Sequence, residues 1–461
     1  MNDKIFYHIY PLGFAGAPEQ NDFTSPAGNG LKAITGHIPR LLELGINALY
    51  LGPVFESTAH GYDTLDYYYT DRRLGNNGDL KDLVRAFHDA GITVILDGVF
   101  NHTGRHFFAF RDLQEKGQNS AYRDWFADLD FSKRSPYGDP FMYEGWCGCY
   151  DLVKLNAHNP EVRDYLIKAA EYWIREFDID GLRLDAANLL LPVFLEELSR
   201  RCKALKSGFW LMGEVVAGDY RKWSNPTCID SVTNYELYKG LWSSFNDRNF
   251  FELAWTLKRQ SGPEGMYRDL SLYTFVDNHD VNRAASVLKN SAHLFPLYGL
   301  LFTLPGIPSI YYGSEYGFRG EKNKSGDRLL RPAWTTPEKL PEPNRPQIDS
   351  ESLKNTIAGF IKIRKENPAL RYGGYRELFC SGEQYAFMRD AAPAASPSGE
   401  KGETIIVAVN ASEKQKLLKI PANTLGGGSY KDLLSGEEFR PAKGWLTLTL
   451  HPSWLRILRR R

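Results

Sequence analysis

Short apolar runs alternate with longer stretches of helical period from the N-terminus to about residue 371. Lys4–Tyr10, Asn47–Phe55, Thr93–Phe100, Gly181–Ala187, Phe209–Val216, Ser231–Leu237, Leu272–Asp277 and Ile307–Gly313 each read as a β-strand. Helical patterns fall between them. Leu31–Leu44 ends at Gly45, Asp79–Ala90 ends at Gly91, and Pro160–Phe177 follows a capping Asn159. Pro192–Leu205 and Leu353–Lys365 complete the series. The near-continuous hydrophobicity of Thr93–Phe100 suits a parallel strand buried on both faces. Eight strands alternating with helices predict an α/β fold, a (β/α)8 TIM barrel.

Two regions break the alternation. Residues 101–156 are aromatic and polar with no helical period, too long for an ordinary strand-to-helix loop, and read as an inserted domain after the third strand. After residue 371 only strands and turns remain: Gln384–Arg389, Thr404–Asn410, Lys416–Ile420 and Trp445–Leu450. That tail predicts an antiparallel β-sandwich, with the Pro-, Ser- and Gly-containing stretch Ala392–Gly402 as a mobile loop. The domain reading is therefore a barrel over 1–100 and 157–371, an insertion over 101–156 and a C-terminal sandwich over 372–461.

Composition narrows the function. A chain of 461 residues has room for a large barrel plus additions, and its 56 basic residues balance 56 acidic ones, so no basic field argues for nucleic acid. Aromatic residues reach 13%, in keeping with a large core or with sugar-stacking surfaces. Five cysteines are an odd number, and Cys147-Gly-Cys149 lacks a second pair to complete a zinc site, so free thiols are expected. The N-terminus has no basic-then-apolar leader and no window reaches 18 consecutive apolar residues. A cytoplasmic protein with no membrane or nucleic-acid partner is the expectation.

Polar clusters mark the strand ends. Gly181-Leu-Arg-Leu-Asp-Ala-Ala-Asn188 places Arg183 and Asp185 two residues apart, on the same face of a strand. A guanidinium at that distance favours an ionised carboxylate, the state a nucleophile needs. Asp97-Gly-Val-Phe-Asn-His102, Gly213-Glu214-Val215 and Phe275-Val-Asp-Asn-His-Asp280 end three other strands. In a barrel these ends converge on one mouth. Three carboxylates in one cleft cannot all ionise easily, so one is expected to act as an acid. Retaining glycoside hydrolysis makes that demand, with a nucleophile and a protonated carboxyl about 5 Å apart.

The sequence resembles the α-amylase family of glycoside hydrolases over nearly its whole length. Asp97–His102 is similar to the family's D-x-x-x-N-H stretch, Gly181–Asn188 to G-x-R-x-D-x-A-x, Glu214 to the strand-five glutamate, and Phe275–Asp280 to the stretch ending in N-H-D. His60–Tyr67 and Gly306–Gly313 are similar to two further stretches. The resemblance implies Asp185 as nucleophile, Glu214 as acid/base and Asp280 as the carboxylate that binds ring hydroxyls and favours the distorted sugar. It implies that Arg183 keeps Asp185 ionised, that His102 and His279 donate to hydroxyls of the reacting sugar, and that Tyr62 stacks beneath it. Asp327 and Arg331 resemble the family's pair that grips the next sugar, although a surface ion pair accounts for them equally well.

Within the family, Asn188 and Val153-Lys-Leu-Asn156 resemble the neopullulanase and cyclomaltodextrinase branch, whose extra N-terminal domain is not matched here. Asn101 stands where relatives ligate calcium, yet no further acidic ligand is evident; calcium is a candidate, and no metal is expected to be required. Ser314 replaces a frequent aspartate, with no role assigned. The expected activity is a retaining α-glucan hydrolase cleaving α-1,4 bonds of maltooligosaccharides, with cyclodextrins and pullulan as further substrates. A transglycosylase of the same family is the nearest alternative and a non-catalytic barrel subunit a distant one. Oligomeric state is left open.

Overall fold

In the computed structural model, which describes residues 1–323, 326–391 and 402–461, the eight expected strand positions form one parallel sheet. The strands are Phe6–Ile9, Ala48–Leu51, Thr93–Gly98, Gly181–Leu184, Trp210–Gly213, Ser231–Val232, Tyr273–Phe275 and Ile307–Tyr311. Ladders join the first strand through to the sixth, and the seventh to the eighth and back to the first. A single parallel bridge from Thr233 to Tyr273 links the sixth and seventh and closes the ring.

Strand alternation builds the site from below. Phe6, Ala48, Ile95, Trp210, Met212, Tyr273, Phe275 and Ile307 pack together inside the barrel. Two residues further along four of these strands, the same period places polar side chains one layer nearer the mouth: His8, Tyr50, Asp97 and Arg183. Gly181 sits where Trp210 crowds the ring, and a Cβ there would lie 2.3 Å from the Trp210 carbonyl oxygen. Register pairs Asp97 with Arg183, which brings carboxylate and guanidinium together without any loop.

Several expectations are corrected. The helix expected over Leu31–Leu44 is two helices, Gly30–Thr35 and Ile38–Leu44. Pro39 has no N–H to give the Thr35 carbonyl, and its ring would clash there, so the helix restarts. The sixth strand is only Ser231–Val232; a helix runs from Tyr235 to Asn246, with the Asn234 side chain accepting from the Leu237 N–H. Helices Phe251–Ser261 and Leu294–Thr303 were not anticipated. The second lies between barrel and sandwich, buried nearly all round, and so lacks the polar face that gives a helix its period.

Residues 101–156 fold onto the barrel mouth as a three-stranded antiparallel sheet, His102–Gly104, Cys149–Lys154 and Gly145–Trp146 in spatial order. They also contain the helix Phe108–Lys116, whose aromatic first turn hid its period. Among the described residues the tail holds eight strands, twice the four expected. Gly374–Cys380, Gln384–Ala391, Glu403–Asn410, Trp454–Arg460, Tyr430–Asp432 and Glu438–Phe439 form one antiparallel sheet. Lys416–Pro421 and Trp445–Leu450 form the other. Met388, Ile406, Leu418, Ile420, Leu446, Leu448 and Leu458 fill the space between them. Residues 392–401 of the expected mobile loop fall outside the described residues. Among the described residues no helix is long and apolar enough to cross a membrane.

Candidate active site

One guanidinium organises the mouth of the barrel. Arg183 Nη1 donates to both Asp97 oxygens at 2.9 and 3.1 Å and to Asp185 Oδ1 at 2.8 Å. Arg183 Nη2 meets Glu214 Oε2 at 2.8 Å. Asp185 and Glu214 each follow the last residue of their strand, and both extend the ladder: Asp185 N–H donates to the Gly98 carbonyl and Glu214 N–H to that of Leu184. Backbone pairing thus sets where both carboxylates leave the sheet. Ala186, next along, is left-handed at φ 45°, a strained choice for a residue with a Cβ. That turn aims the Ala186 N–H at Glu214 Oε2, 3.1 Å away.

Three carboxylates around one guanidinium leave excess negative charge in a dry site. Burial pushes the Asp185 carboxyl well above its ordinary range; Arg183 pulls it down, and Glu214 and Asp97 push it up again. Arg183 thus favours the ionised carboxylate as expected from sequence, but against burial and two carboxylates that sequence did not place beside it. Asp185 therefore responds to all three charged neighbours and not to Arg183 alone. Asp97 carries the counter-charge at the base of the site, where it accepts from Tyr50 Oη at 2.8 Å and Tyr62 Oη at 3.1 Å.

Asp280 has the opposite electrostatics. Burial raises its carboxyl, but His279 Nε2 at 2.9 Å and Arg331 Nη2 at 2.9 Å hold it well below the usual range. The Tyr62 hydroxyl also meets His279 Nε2, and the two rings stack at 5.5 Å. Arg331 lies over the Tyr10 ring at 4.6 Å, donates to the His279 carbonyl and reaches Asp327 Oδ2 at 3.1 Å. The Asp327–Arg331 pair is therefore tied into the site through Asp280 and is no mere surface ion pair. His102 Nε2 lies 3.9 Å from Asp185 Oδ2, and burial brings the imidazole down to about 3. His102 is thus neutral, and its Nε2 and His279 Nδ1 are buried with no hydrogen-bond partner among the described residues. All nine residues expected from sequence meet in this one network.

Other members were missed. Tyr235 Oη lies 3.3 Å from Glu214 Oε1, and Asn278 Nδ2 donates to Tyr235 Oη at 3.1 Å. The sequence pattern places Tyr235 in a strand, which hides its approach to the mouth. Asp97 opens the Asp97–His102 stretch, and its place two residues beyond the buried Ile95 turns it inward. Trp146 of the inserted sheet brings its ring within 5.8 Å of His102. Ser314 has a structural reason: its hydroxyl donates to Asp277 Oδ2 at 2.8 Å and accepts from the buried Arg283 at 3.2 Å. An aspartate there would set a second carboxylate against Asp277.

Asn101 borders a cavity of about 410 Å3 between barrel and insertion, lined also by Asp128, Glu144 and Lys154. The Lys154 ammonium pairs with Glu144 Oε1 at 2.6 Å. A cation there would face an ammonium, and among the described residues no group of three or more acidic, histidine or cysteine side chains is arranged to hold a metal. The donor set does not fit calcium.

Comparison with known proteins places this geometry. The family model described as "Alpha amylase, catalytic domain" matches residues 8–358. A cyclomaltodextrinase of Thermoanaerobacter pseudethanolicus is 32% identical over 98% of this chain and 77% of its own length. Neopullulanase 2 of Thermoactinomyces vulgaris is 32% identical over 98% of this chain and 76% of its own. The crystal structure of an α-amylase from Geobacillus thermoleovorans complexed with acarbose superposes with a TM-score of 0.80 at 26% identity, covering 100% of this chain and 98% of that one. The chain belongs to the α-amylase family of glycoside hydrolases.

Proposed function

We propose that the protein hydrolyses α-1,4-glucosidic bonds of maltooligosaccharides and cyclodextrins by a retaining, two-step mechanism. The observation that carries this reading is one buried guanidinium, that of Arg183, holding both Asp185 and Glu214 at adjacent strand ends, beside an Asp280 kept ionised by His279 and Arg331. The family and the names of its relatives, cyclomaltodextrinase and neopullulanase, support the substrate class.

In the first step ionised Asp185 bonds to the anomeric carbon while the glycosidic bond breaks and its oxygen takes the proton from Glu214. The step requires Asp185 ionised and Glu214 carrying the proton when the sugar binds. Asp280, charged and fixed from two sides, faces the positive charge that develops on the sugar ring. His102 and His279 offer ring nitrogens to sugar hydroxyls, and Tyr62 supplies a flat face. In the second step Glu214 takes a proton from water, whose oxygen displaces Asp185. No step uses a metal. Five cysteines, all free thiols, suit a reducing compartment, and the cytoplasm is the proposed setting.

A product profile on maltohexaose, β-cyclodextrin and pullulan, with and without chelator, tests the substrate class. Opening of the cyclodextrin to short linear products, insensitive to chelator, is expected. Products longer than maltohexaose would indicate sugar transfer, and no turnover of any of the three would overturn the reading.

A further inference from the structure

Around Glu214 the two carboxyl oxygens have different surroundings. Oε2 is filled by two donors, the Ala186 N–H at 3.1 Å and Arg183 Nη2 at 2.8 Å. Among the described residues, Oε1 has one hydrogen-bond partner, Tyr235 Oη at 3.3 Å. An acid proton on Oε2 would collide with those two donors, so it belongs on Oε1.

The orientation of the tyrosine hydroxyl follows from its other neighbour. Asn278 Oδ1 accepts from the backbone N–H groups of Asp280 at 2.8 Å and Val281 at 3.2 Å, which fixes the amide with its NH2 toward Tyr235. Asn278 Nδ2 therefore donates to Tyr235 Oη at 3.1 Å. With that lone pair occupied, the tyrosine hydrogen is free to point at Glu214 Oε1. The ring is held edge-on against Phe275 at 5.0 Å and stands at the first turn of the helix Tyr235–Asn246. Burial, then Glu214 and Asp280, raise the Tyr235 hydroxyl well above its ordinary value, so it remains a donor at any working pH.

From this geometry we infer that Tyr235, oriented by Asn278, is a positioning residue for the acid step: it donates to Glu214 Oε1 as that oxygen gives up its proton. The inference rests on the assignment of Glu214 as acid/base. When the proton passes from Oε1 to the glycosidic oxygen, the carbon–oxygen bond breaks and the negative charge stays on Oε1. The Tyr235 hydrogen bond then changes from a neutral contact to a charge-assisted one, which is roughly twice as strong. The contact at 3.3 Å has room to shorten as charge develops. Because the same asparagine binds the Asp280 backbone, the acid and the ring-binding carboxylate are registered to each other through one side chain.

The test compares two substrates by kcat/KM, which reports the first bond-breaking step. Maltotriose needs its leaving oxygen protonated; α-maltosyl fluoride carries a leaving group that needs little help. Tyr235→Phe keeps the ring and its packing and removes only the hydroxyl. The expected result is a loss of about tenfold on maltotriose, the worth of one charge-assisted hydrogen bond, with the fluoride changed less than about twofold. Equal losses on both substrates, or no loss on either, would overturn the inference. Glu214→Gln, measured alongside, separates it from the assignment beneath it. If that variant also fails to spare the fluoride, the acid/base assignment falls; if it spares the fluoride and Tyr235→Phe does not, only the role of Tyr235 falls. Unchanged melting temperatures certify that both variants are folded.

Discussion

Buried arginines stand at both ends of this barrel, and they differ in the kind of partner each has. At the mouth Arg183 faces three carboxylates. At the opposite end Arg364, on the helix Ser350–Glu366, donates to the carbonyls of Phe302, Leu304 and Gly306 just ahead of the eighth strand. Arg389 of the sandwich donates to the carbonyls of Thr303, Gly373 and Gly374. Burial, with repulsion from Arg371 and from Arg364 respectively, lowers these two guanidinium groups. Burial also lowers Arg183, but Asp97 and Glu214 more than offset it. Carbonyl partners are neutral, so Arg364 ties the last barrel helix to the approach of the eighth strand and Arg389 ties sandwich to barrel, with no titratable partner at either. Carboxylate partners keep lone pairs and a titratable proton turned toward the cleft. The same residue type at the same depth is structural at one end and chemical at the other.

The sharpest way to break this contrast is to remove the nucleophile. Asp185→Asn is expected to lower kcat by roughly 10⁴-fold or more on maltooligosaccharides, with little change in melting temperature because Arg183 keeps two carboxylates. Steady-state kinetics and a thermal melt on one sample would check it. Next comes the hub. Arg183→Met leaves Asp97, Asp185 and Glu214 without their cation, and a fall of about 10²–10³-fold in kcat is expected, together with a lower melting temperature.

At the other end the outcome reverses. Arg364→Met strands three buried carbonyls and should cost about 3 kcal/mol of stability by denaturant titration, while kcat per folded molecule stays at the wild-type value. A drop in kcat as large as that of Arg183→Met would erase the distinction between the two ends.

Acid sharpens the comparison further. His102 has an ordinary value of 6.5 and is brought down to about 3 in the fold. Between those values the unfolded chain takes up a proton that the folded site refuses, so stability falls as pH falls from 6.5 toward 3. His102→Gln should flatten that part of a stability-against-pH curve. The smallest effect is expected from chelator: with Lys154 on Glu144 beside Asn101, EDTA should leave both kcat and melting temperature unchanged.

The barrel was legible because its strands are buried on both faces and bounded by turn residues, and because Arg183–Asp185 alternate with Leu182 and Leu184. Long-range geometry hid the rest. Leu294–Thr303 has no polar stripe, since barrel and sandwich cover it on both sides. Tyr235 looked like the continuation of a strand; the Asn234 cap that starts its helix depends on a backbone turn no local pattern announces. Asp185 also looked simpler in sequence than in space. Arg183 is its neighbour in the chain, but Glu214 and Asp97, which push its carboxyl up, arrive from other strands. Asp327 and Arg331 read as an ion pair four residues apart, and only the fold brings Asp280 between them and the cleft.

The most direct test of the mouth as a retaining site is to trap its covalent intermediate. Glu214→Gln slows the second step, and α-maltosyl fluoride drives the first without an acid. Mass spectrometry of the digested protein should then find one maltosyl group, on Asp185 within the peptide spanning Gly181–Asn188. A maltosyl group on any other residue, or turnover of the fluoride with inversion at the anomeric carbon and no adduct, would contradict the account.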